Sequence, residues 1–321
     1  MRLDFHIPEV TAGYYAFRIG ARARGGYEVQ SEDCHVNSLK TAADEAHYRV
    51  RGGSVVSISN GTAMPVATTD RLYLVGASGI PAFRPVYDVF SRMAFYNLIP
   101  ADIRDTQTTD AGELLTRYGD NIGSVLHWIT DHSPNIKRRI EEYLATVVPG
   151  VVGVDARDFG PYEMLEFRQH VSGSKQPWRF PATSMSDGTL RALGVLVALF
   201  QGGNGTRVRI PLIGIEEPEV ALHPAALGAL LDSLDEASAN KQIIITSHSP
   251  DLLDSDRIDP DSLLAVVADK GVTTIAPIDD AGRTVLRDHL YTAGELLRLN
   301  QLSPRRNGYK QHPHHPTENE E

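Results

Sequence analysis

Alternating apolar and polar positions mark the first sixty residues of the chain. Four short segments with this pattern lie between Tyr14 and Ile58, and they read YYAFRIG, GYEVQSED, HYRV and SVVSIS. The second segment begins at the glycine pair Gly25-Gly26, and Gly52-Gly53 precedes the fourth. Because side chains of a strand point alternately to opposite faces and glycine pairs favour tight turns, the pattern predicts an antiparallel meander.

The hydrophobic period becomes helical between Pro85 and Pro149. Apolar residues recur there at spacings of three and four, at Val86, Val89, Phe90, Met93, Leu114, Leu115, Ile122, Val125, Leu126 and Ile129. This spacing is typical of amphipathic helices and predicts a helical lobe. Ser133 and Pro134 suit the N-cap and first position of its last helix, and Pro149-Gly150 ends that helix. Two strands, VVGVD and YEMLEFRQH, are predicted to follow.

Strands and helices alternate from Thr189 onward. An apolar helix, TLRALGVLVALFQ, is followed by the strand RIPLIGIEE, a helix that begins at Pro224, and the strands QIIITS and SLLAVVAD. Nearly continuous apolar strands that alternate with helices predict a parallel sheet covered on both faces, and hence an α/β fold.

These patterns predict four regions. Residues 1–80 form an antiparallel β subdomain, residues 81–150 the helical lobe, residues 151–303 the core with the parallel sheet, and residues 304–321 a disordered tail. The tail carries three histidines, His312, His314 and His315, for which a flexible tail is favoured over a metal site.

Composition excludes several classes of protein. The 321 residues are 41% hydrophobic, the net charge is −10, and the longest apolar stretch, at residues 193–200, is far shorter than a membrane span. The N-terminus lacks the layout of a signal peptide, and the single cysteine, Cys34, allows neither an internal disulfide nor a cysteine zinc knuckle. We therefore expect a cytoplasmic protein without a membrane segment.

Two adjacent carboxylates end one of the apolar strands. In the sequence PLIGIEEPE the strand stops at Glu216 and Glu217. Burying carboxylates is costly unless a cation or hydrogen bonds offset the desolvation, and ligands of open α/β folds bind at the carboxyl ends of the strands. The acids therefore point to Mg²⁺ and a phosphate ligand. The alternative is an exposed acidic turn.

Two further segments point to the same chemistry. The strand QIIITS delivers His248 at its end, about 30 residues after the acids, and the ends of neighbouring strands should converge. Ser186, Asp187 and Gly188 precede an apolar helix whose free N–H groups suit an anion. Each segment also has a simpler explanation, a packed loop histidine in the first case and ordinary helix capping in the second.

The order of these segments, SDGTLR, IGIEEPE, ALHP and ITSHSP, resembles the C-terminal part of ABC, SMC and RecF-type ATPases. Within them it is similar to the bacterial predicted AAA ATPases related to overcoming-lysogenisation-defect ATPases. The resemblance implies an ABC-type ATPase head with a parallel core sheet, an antiparallel meander and a helical lobe. Weaker similarity continues through FYNLIP in the helical lobe and GELLRLNQL near residue 300.

The resemblance also implies roles for individual residues. Glu216 would hold Mg²⁺ through water, Glu217 would orient the attacking water, and His248 would reach the γ-phosphate. The signature motif that contacts ATP would comprise Ser186, Asp187 and Gly188, and His223 would lie in the D-loop. Since ATP lies between two heads in this family, a homodimer or a partner ATPase or effector subunit is expected, and a link to DNA repair or anti-phage defence makes DNA another expected partner.

One element of the family pattern is missing. No lysine in the sequence follows a glycine, so GxxxxGK[ST] does not occur, and the family's phosphate loop is expected upstream of the meander. Two hypotheses follow: an ATPase whose phosphate loop precedes Met1, or a non-catalytic or split subunit that completes a partner's ATP site. A Toprim-like nuclease based on Asp254 and Asp256 is less favoured, because the strands that should accompany this pair are not found.

Overall fold

The computed structural model describes residues 1–22, 25–38, 45–59, 65–202 and 209–305. The chain divides into two units, of which the first comprises residues 1–94, 206–213 and 240–242 and the second the remaining residues. The region boundaries expected from the sequence stay predictions, and the tail from residue 306 lies outside the described residues. No helix within the described ranges has the length and apolar character needed to cross a bilayer.

The first unit is built on the expected meander. Its strands are β1 (Arg2–Ile7), β2 (Thr11–Ala21), β3 (Tyr27–Ser38), β4 (Glu45–Arg51) and β5 (Ser54–Ile58), followed by helices α1 (Leu74–Ala77) and α2 (Arg84–Phe90). Consecutive strands pair antiparallel in the order β1-β2-β3-β4-β5. The prediction of an antiparallel meander is therefore confirmed.

A buried carboxylate organises the core of this unit. Glu32 is 1% exposed, and it accepts hydrogen bonds from the hydroxyls of Tyr15 (3.1 Å) and Tyr48 (2.7 Å) and from the Leu74 amide (2.8 Å). Desolvation of a carboxylate is offset when its oxygens are fully hydrogen-bonded, so Glu32 has a structural use. Cys34 lies in the same core cluster.

The remaining elements lie wholly or mostly in the second unit. In chain order they are β6 (Ala94–Tyr96), α3 (Pro100–Arg104), β7 (Gln107–Thr108), α4 (Ile122–His132), α5 (Pro134–Val147), β8 (Val151–Phe159), β9 (Tyr162–Gln169), β10 (Trp178–Pro181), α6 (Asp187–Phe200), β11 (Leu212–Glu216), α7 (Leu227–Ser238), β12 (Gln242–Thr246), α8 (Pro250–Leu253), β13 (Leu264–Asp269), β14 (Val272–Pro277), α9 (Asp280–Arg287) and α10 (Ala293–Arg298).

An antiparallel sheet and a buried helix form most of this unit's core. Strand β9 pairs with β7, β8 and β10, and helices α4 and α5 pack beside β8. Helix α6 is buried along residues 189–199, as its apolar sequence predicts. A helix that is apolar on all sides has to be surrounded by protein, which makes α6 a rigid support for the residues at its N-terminus.

Strands β6, β11 and β12 form a separate three-stranded sheet in the order β12-β11-β6. The Gln242 amide donates to the Pro211 carbonyl (3.0 Å) at the start of the β11–β12 pair, and the Glu217 amide donates to the Thr246 carbonyl (2.9 Å) at its end. Since both strands advance together along these bonds, they are parallel. The predicted α/β fold, with a parallel sheet, antiparallel sheets and helices, is confirmed.

Two expectations about the parallel sheet are wrong. Strand β12 is an edge strand, and its Ile244 is 43% exposed, so within the described residues this strand is not covered on both faces. Strand β13 pairs antiparallel with β14 in a two-stranded sheet. The apolar run SLLAVVAD carried no information about its partner, because a short apolar strand fits a parallel sheet and a hairpin equally well.

Candidate functional site

The two adjacent acids lie where the sequence places them, at the carboxyl end of β11. Residues 213–215 of this strand are buried, whereas the side chain of Glu216 is half exposed. Glu217 follows the strand with a φ of +44°, in the left-handed region that glutamate rarely adopts. Such a conformation costs on the order of 1–3 kcal/mol and persists only where the surroundings enforce it.

The guanidinium of Arg191 enforces this backbone. Arg191 lies on α6, is 9% exposed, and donates from Nη2 to the Glu216 carbonyl (3.0 Å) and from Nε to the Glu217 carbonyl (3.2 Å). Its Nη1 donates to the Leu98 carbonyl (2.9 Å). A planar guanidinium can serve three carbonyls at once, so Arg191 fixes the direction in which both acidic side chains leave the strand.

His248 meets Glu217 at the end of the neighbouring strand. Its Nε2 lies 3.9 Å from Glu217 Oε1, and its side chain is 89% exposed. The hydrogen bond between the Glu217 amide and the Thr246 carbonyl holds the two strand ends side by side. The predicted convergence of the acids and the histidine is therefore confirmed, and both groups are accessible to a ligand.

A third carboxylate links the loop that follows β11 to the loop that follows β12. Glu219 is 8% exposed, and its Oε1 accepts a hydrogen bond from the Ser247 hydroxyl (2.5 Å). The same hydroxyl oxygen accepts from the Ser249 amide (3.0 Å). This buried link joins the loop after β11 to the loop after β12, so the relative position of Glu217 and His248 depends on it.

The N-terminus of α6 is capped as expected. Ser186 is the N-cap, and its Oγ accepts from the Thr189 amide (3.2 Å). Asp187 is exposed and forms an ion pair with Arg104, whose guanidinium also donates to the Met185 carbonyl (3.3 Å). Capping alone thus accounts for the Ser186 hydroxyl, and Arg104 offsets the charge of Asp187 in the described structure.

Gly188 has a packing role that the sequence did not reveal. A Cβ atom at this position would lie 2.2 Å from the Ala221 carbonyl oxygen, in the loop that follows Glu217. Ala221 itself has a φ of +65°. The missing side chain therefore lets the first turn of α6 pack directly against the loop that carries the acids, whether or not a ligand also approaches there.

His223 and Arg117 complete the surroundings. His223 is exposed, and its Nδ1 accepts from the Ala225 amide (3.1 Å) at the start of a short 3₁₀ helix. Arg117 Nη2 lies 3.3 Å from Glu216 Oε1, and its side chain is 55% exposed. Because a half-exposed carboxylate exchanges one cationic partner for another at little cost, Glu216 can receive a hydrated divalent cation in place of Arg117.

The side chains at this site are of the types that bind Mg²⁺ and phosphate groups. Oxygen ligands suit Mg²⁺, which keeps several of its waters, and the Glu216 carboxylate offers such a ligand at the open edge of the sheet. The exposed His248 imidazole and the N-terminus of α6 are groups that donate to phosphate oxygens.

A comparison with family models decides the classification. Residues 66–254, more than half of the chain, match the family described as AAA domain, putative AbiEii toxin, Type IV TA system. The chain belongs to this family. Its ATPase-type AAA domain contains all the residues of the candidate site, from Ser186 to His248. No curated protein matches the sequence.

Several solved structures of SMC heads are similar to this chain. The SMC head bound to the C-winged helix domain of ScpA is 14% identical with a TM-score of 0.44, and the alignment covers 80% of this chain and 76% of that one. The SMC head domain from Thermotoga maritima is 12% identical with a TM-score of 0.36, covering 85% and 76%. A structure from a study of ATP-driven dimerization and DNA-stimulated activation of SMC ATPases is 17% identical with a TM-score of 0.35, covering 51% and 96%.

Three residues that support this site were not predicted from the sequence: Arg191, Glu219 and Arg117. The sequence does contain a signal for Arg191, because a single arginine within the apolar run of α6 needs buried hydrogen-bond partners. Glu219 stands in the same acidic motif as Glu216 and Glu217, but only the structure shows it buried against Ser247. Arg117 is 99 positions away from Glu216, so only the fold brings them together.

Proposed function

We propose that the chain is the catalytic part of an ATP-hydrolysing assembly, with the reaction centre at the ends of β11 and β12. The observation that carries this proposal is the left-handed Glu217 beside the exposed His248. The strained backbone of Glu217 accepts a hydrogen bond from the buried Arg191, and its carboxylate lies 3.9 Å from the His248 imidazole; such a conformation is costly and persists only where the surroundings enforce it. Paired groups of this kind position water and stabilise phosphate charge in phosphoryl transfer.

Each residue has a distinct task in the proposed site. Glu216 holds Mg²⁺ through a water molecule, Glu217 accepts a hydrogen bond from the attacking water, and His248 donates to the γ-phosphate. Mg²⁺ supplies neutralisation of the phosphate charge when it is bound. Ser186 and Gly188 present the N-terminus of α6 to the nucleotide of a second ATPase head, with Asp187 and His223 at the rim of that contact.

The proposal includes a β-phosphate cradle supplied by another segment or by a partner chain. This sequence contains no Gly-Lys dipeptide and therefore no GxxxxGK[ST] loop. Strand β12 offers a place for that contribution. It has a strand neighbour on one side only among the described residues, so its backbone N–H and C=O groups on the other side can pair with one more strand.

The test is ATP hydrolysis by the native assembly, isolated from its source cells through a tag on this chain. Glu217→Gln removes the acceptor for the water while keeping the size of the side chain, so turnover should fall at least about 100-fold with nucleotide binding retained. Glu113→Gln, an exposed acid outside the site, is the matched control and should hydrolyse ATP normally. Undiminished turnover in Glu217→Gln would refute the role of that residue.

A second candidate is a non-catalytic subunit that completes a partner's ATP site. The absence of a Gly-Lys dipeptide favours it. In that case Glu217→Gln leaves the ATPase rate of the assembly unchanged. Ser186→Arg still abolishes that rate, because the side chain added at the N-cap of α6 would block the face offered to the partner's nucleotide.

The family resemblance extends the proposal to DNA repair or anti-phage defence, with a homodimer, an effector subunit or DNA as partner. Sedimentation of the Glu217→Gln variant with and without ATP tests nucleotide-dependent dimerisation. Binding to duplex DNA over a range of salt concentrations tests the DNA partner, since each phosphate contact contributes to the slope of affinity against salt.

A further inference from the structure

A second cluster of ligand-type side chains lies away from the proposed ATP site. It joins His127 on α4, Asp158 near the end of β8 and Glu163 near the start of β9. His127 Nδ1 lies 3.5 Å from Asp158 Oδ1 and 3.6 Å from Glu163 Oε2, and one ligand atom from each residue falls within 4.8 Å of the others.

Glu163 is the residue that sets this cluster apart from an ordinary surface group. Its side chain is fully buried, one carboxylate oxygen accepts a hydrogen bond from the Ser124 hydroxyl, and the other, Oε2, has no hydrogen-bond partner among the described residues. This second oxygen faces His127. A buried carboxylate oxygen without a partner is costly, so a group that binds it there would be strongly favoured.

The fold makes room for this buried carboxylate. Gly123 lies on α4 against Glu163, and a Cβ atom on that glycine would come within 2.7 Å of the Glu163 carboxyl carbon. The Gly123 amide donates to Gln107 Oε1 (3.0 Å), which holds this turn of α4 in place. The absence of a side chain at Gly123 therefore leaves room for the Glu163 carboxylate beside His127.

Repulsion between the carboxylates of Asp158 and Glu163 also favours the binding of a cation. Asp158 and Glu163 are direct partners in the antiparallel register of β8 and β9, so both carboxylates lie on the same face of the sheet. Like charges that face each other directly across strands are destabilising. A divalent cation between them would remove the repulsion and bind the free oxygen of Glu163 at the same time.

The spacing of the donor atoms suits a tetrahedral ion. Ligands about 2.1 Å from Zn²⁺ lie about 3.4 Å apart in a tetrahedral arrangement. The two distances measured from His127 Nδ1, 3.5 and 3.6 Å, are close to this value. The side chains of His127 and Asp158 are 41% and 62% exposed, so a fourth position would be open to water.

We propose that His127, Asp158 and Glu163 bind a divalent transition metal ion of the Zn²⁺ class, with water as the fourth ligand. An imidazole nitrogen with two carboxylates favours such an ion over Mg²⁺, which prefers oxygen ligands in octahedral geometry. The site is separate from Glu216, and it does not depend on the proposed ATPase activity.

Isothermal titration of the metal-free full-length chain with Zn²⁺ tests the proposal. The background variant has His312, His314 and His315 replaced by asparagine, so that the tail cannot bind the ion. We expect one equivalent of Zn²⁺ to bind, with affinity reduced at least about tenfold by His127→Gln and by Asp158→Asn. His132→Gln, a histidine on the same helix that stacks on Trp128, is the matched control and should leave the affinity unchanged.

Co²⁺ provides a second measurement, because its visible spectrum reports the coordination of the bound ion directly. Four-coordinate Co²⁺ absorbs strongly in the visible range, so the parent chain should give an intense band that Asp158→Asn weakens. Absence of Zn²⁺ binding in the parent chain, or equal affinity in all the variants, would overturn the proposal. The cluster would then be only a set of close contacts between His127 and the two carboxylates.

Discussion

Gly188 allows the close packing between α6 and the acidic loop to be tested directly. Replacing it by alanine adds one Cβ atom, which would lie 2.2 Å from the Ala221 carbonyl oxygen. Contacts below about 3 Å between a Cβ and a backbone oxygen do not persist, so the helix or the loop has to move. Gly228→Ala is a matched control, because Gly228 is also the second residue of a helix and has open space around its Cβ position.

The two substitutions should change stability in opposite directions. Adding a methyl group to a tightly packed position costs about 1–3 kcal/mol. Alanine gains up to about 1 kcal/mol over glycine in a helix. Gly188→Ala should therefore lower the free energy of unfolding by up to about 2.5 kcal/mol, the packing cost less the gain of about 0.5–1 kcal/mol from alanine, whereas Gly228→Ala should raise it by about 0.5–1 kcal/mol.

Urea unfolding followed by circular dichroism measures both changes, and hydrogen exchange of residues 217–222 locates the displacement. We expect faster amide exchange in that loop for Gly188→Ala and no change there for Gly228→Ala. If Gly188→Ala is as stable as Gly228→Ala, or more stable than the parent chain, the packing argument for Gly188 is refuted.

Three further predictions concern single side chains. Arg191→Lys should destabilise the chain by about 2 kcal/mol or more in urea unfolding, since an ammonium cannot reach all three carbonyls; a change below about 0.5 kcal/mol would contradict this role. Burial raises the pKa of the Cys34 thiol to about 12, so a disulfide reagent at pH 8 should label it only as fast as the first unit opens; immediate labelling would contradict the structure. The hydrogen bond from Arg139 lowers the pKa of Glu236, so its contribution, less than about 1 kcal/mol at this partly exposed site, is present above the unfolded pKa near 4.5 and lost as the pH falls through the folded value. The Tm advantage of the parent chain over Glu236→Gln should shrink below pH 4.5, and a constant difference down to pH 2 would oppose this assignment.

Local patterns were sufficient to predict most of the elements. The meander, the buried helix α6 and strands β11 and β12 follow from hydrophobic period and turn residues, which act over a few neighbouring positions. The adjacent acids and His248 could be placed together because parallel strands end at the same edge of a sheet. The order of the same short segments predicted an ATPase of the ABC and SMC type, and the match of residues 66–254 to a family model established the family.

Partners distant in sequence could not be predicted in this way. The close approach of Gly188 to Ala221 and the cluster of His127 with Glu163 both depend on how elements pack. A sequence pattern shows which face of an element is apolar, but it does not show which other element covers that face.

The amino-acid sequence by itself determined which elements form and which side chains stand at their ends, because propensity and periodicity are local properties. Tertiary structure decided the geometry of the candidate site. It places the Arg191 guanidinium against the Glu217 backbone carbonyl. Glu217 adopts a left-handed conformation there, which local preference alone opposes. Only the combined packing of α6, β11 and β12 supplies the hydrogen bonds that offset this strain.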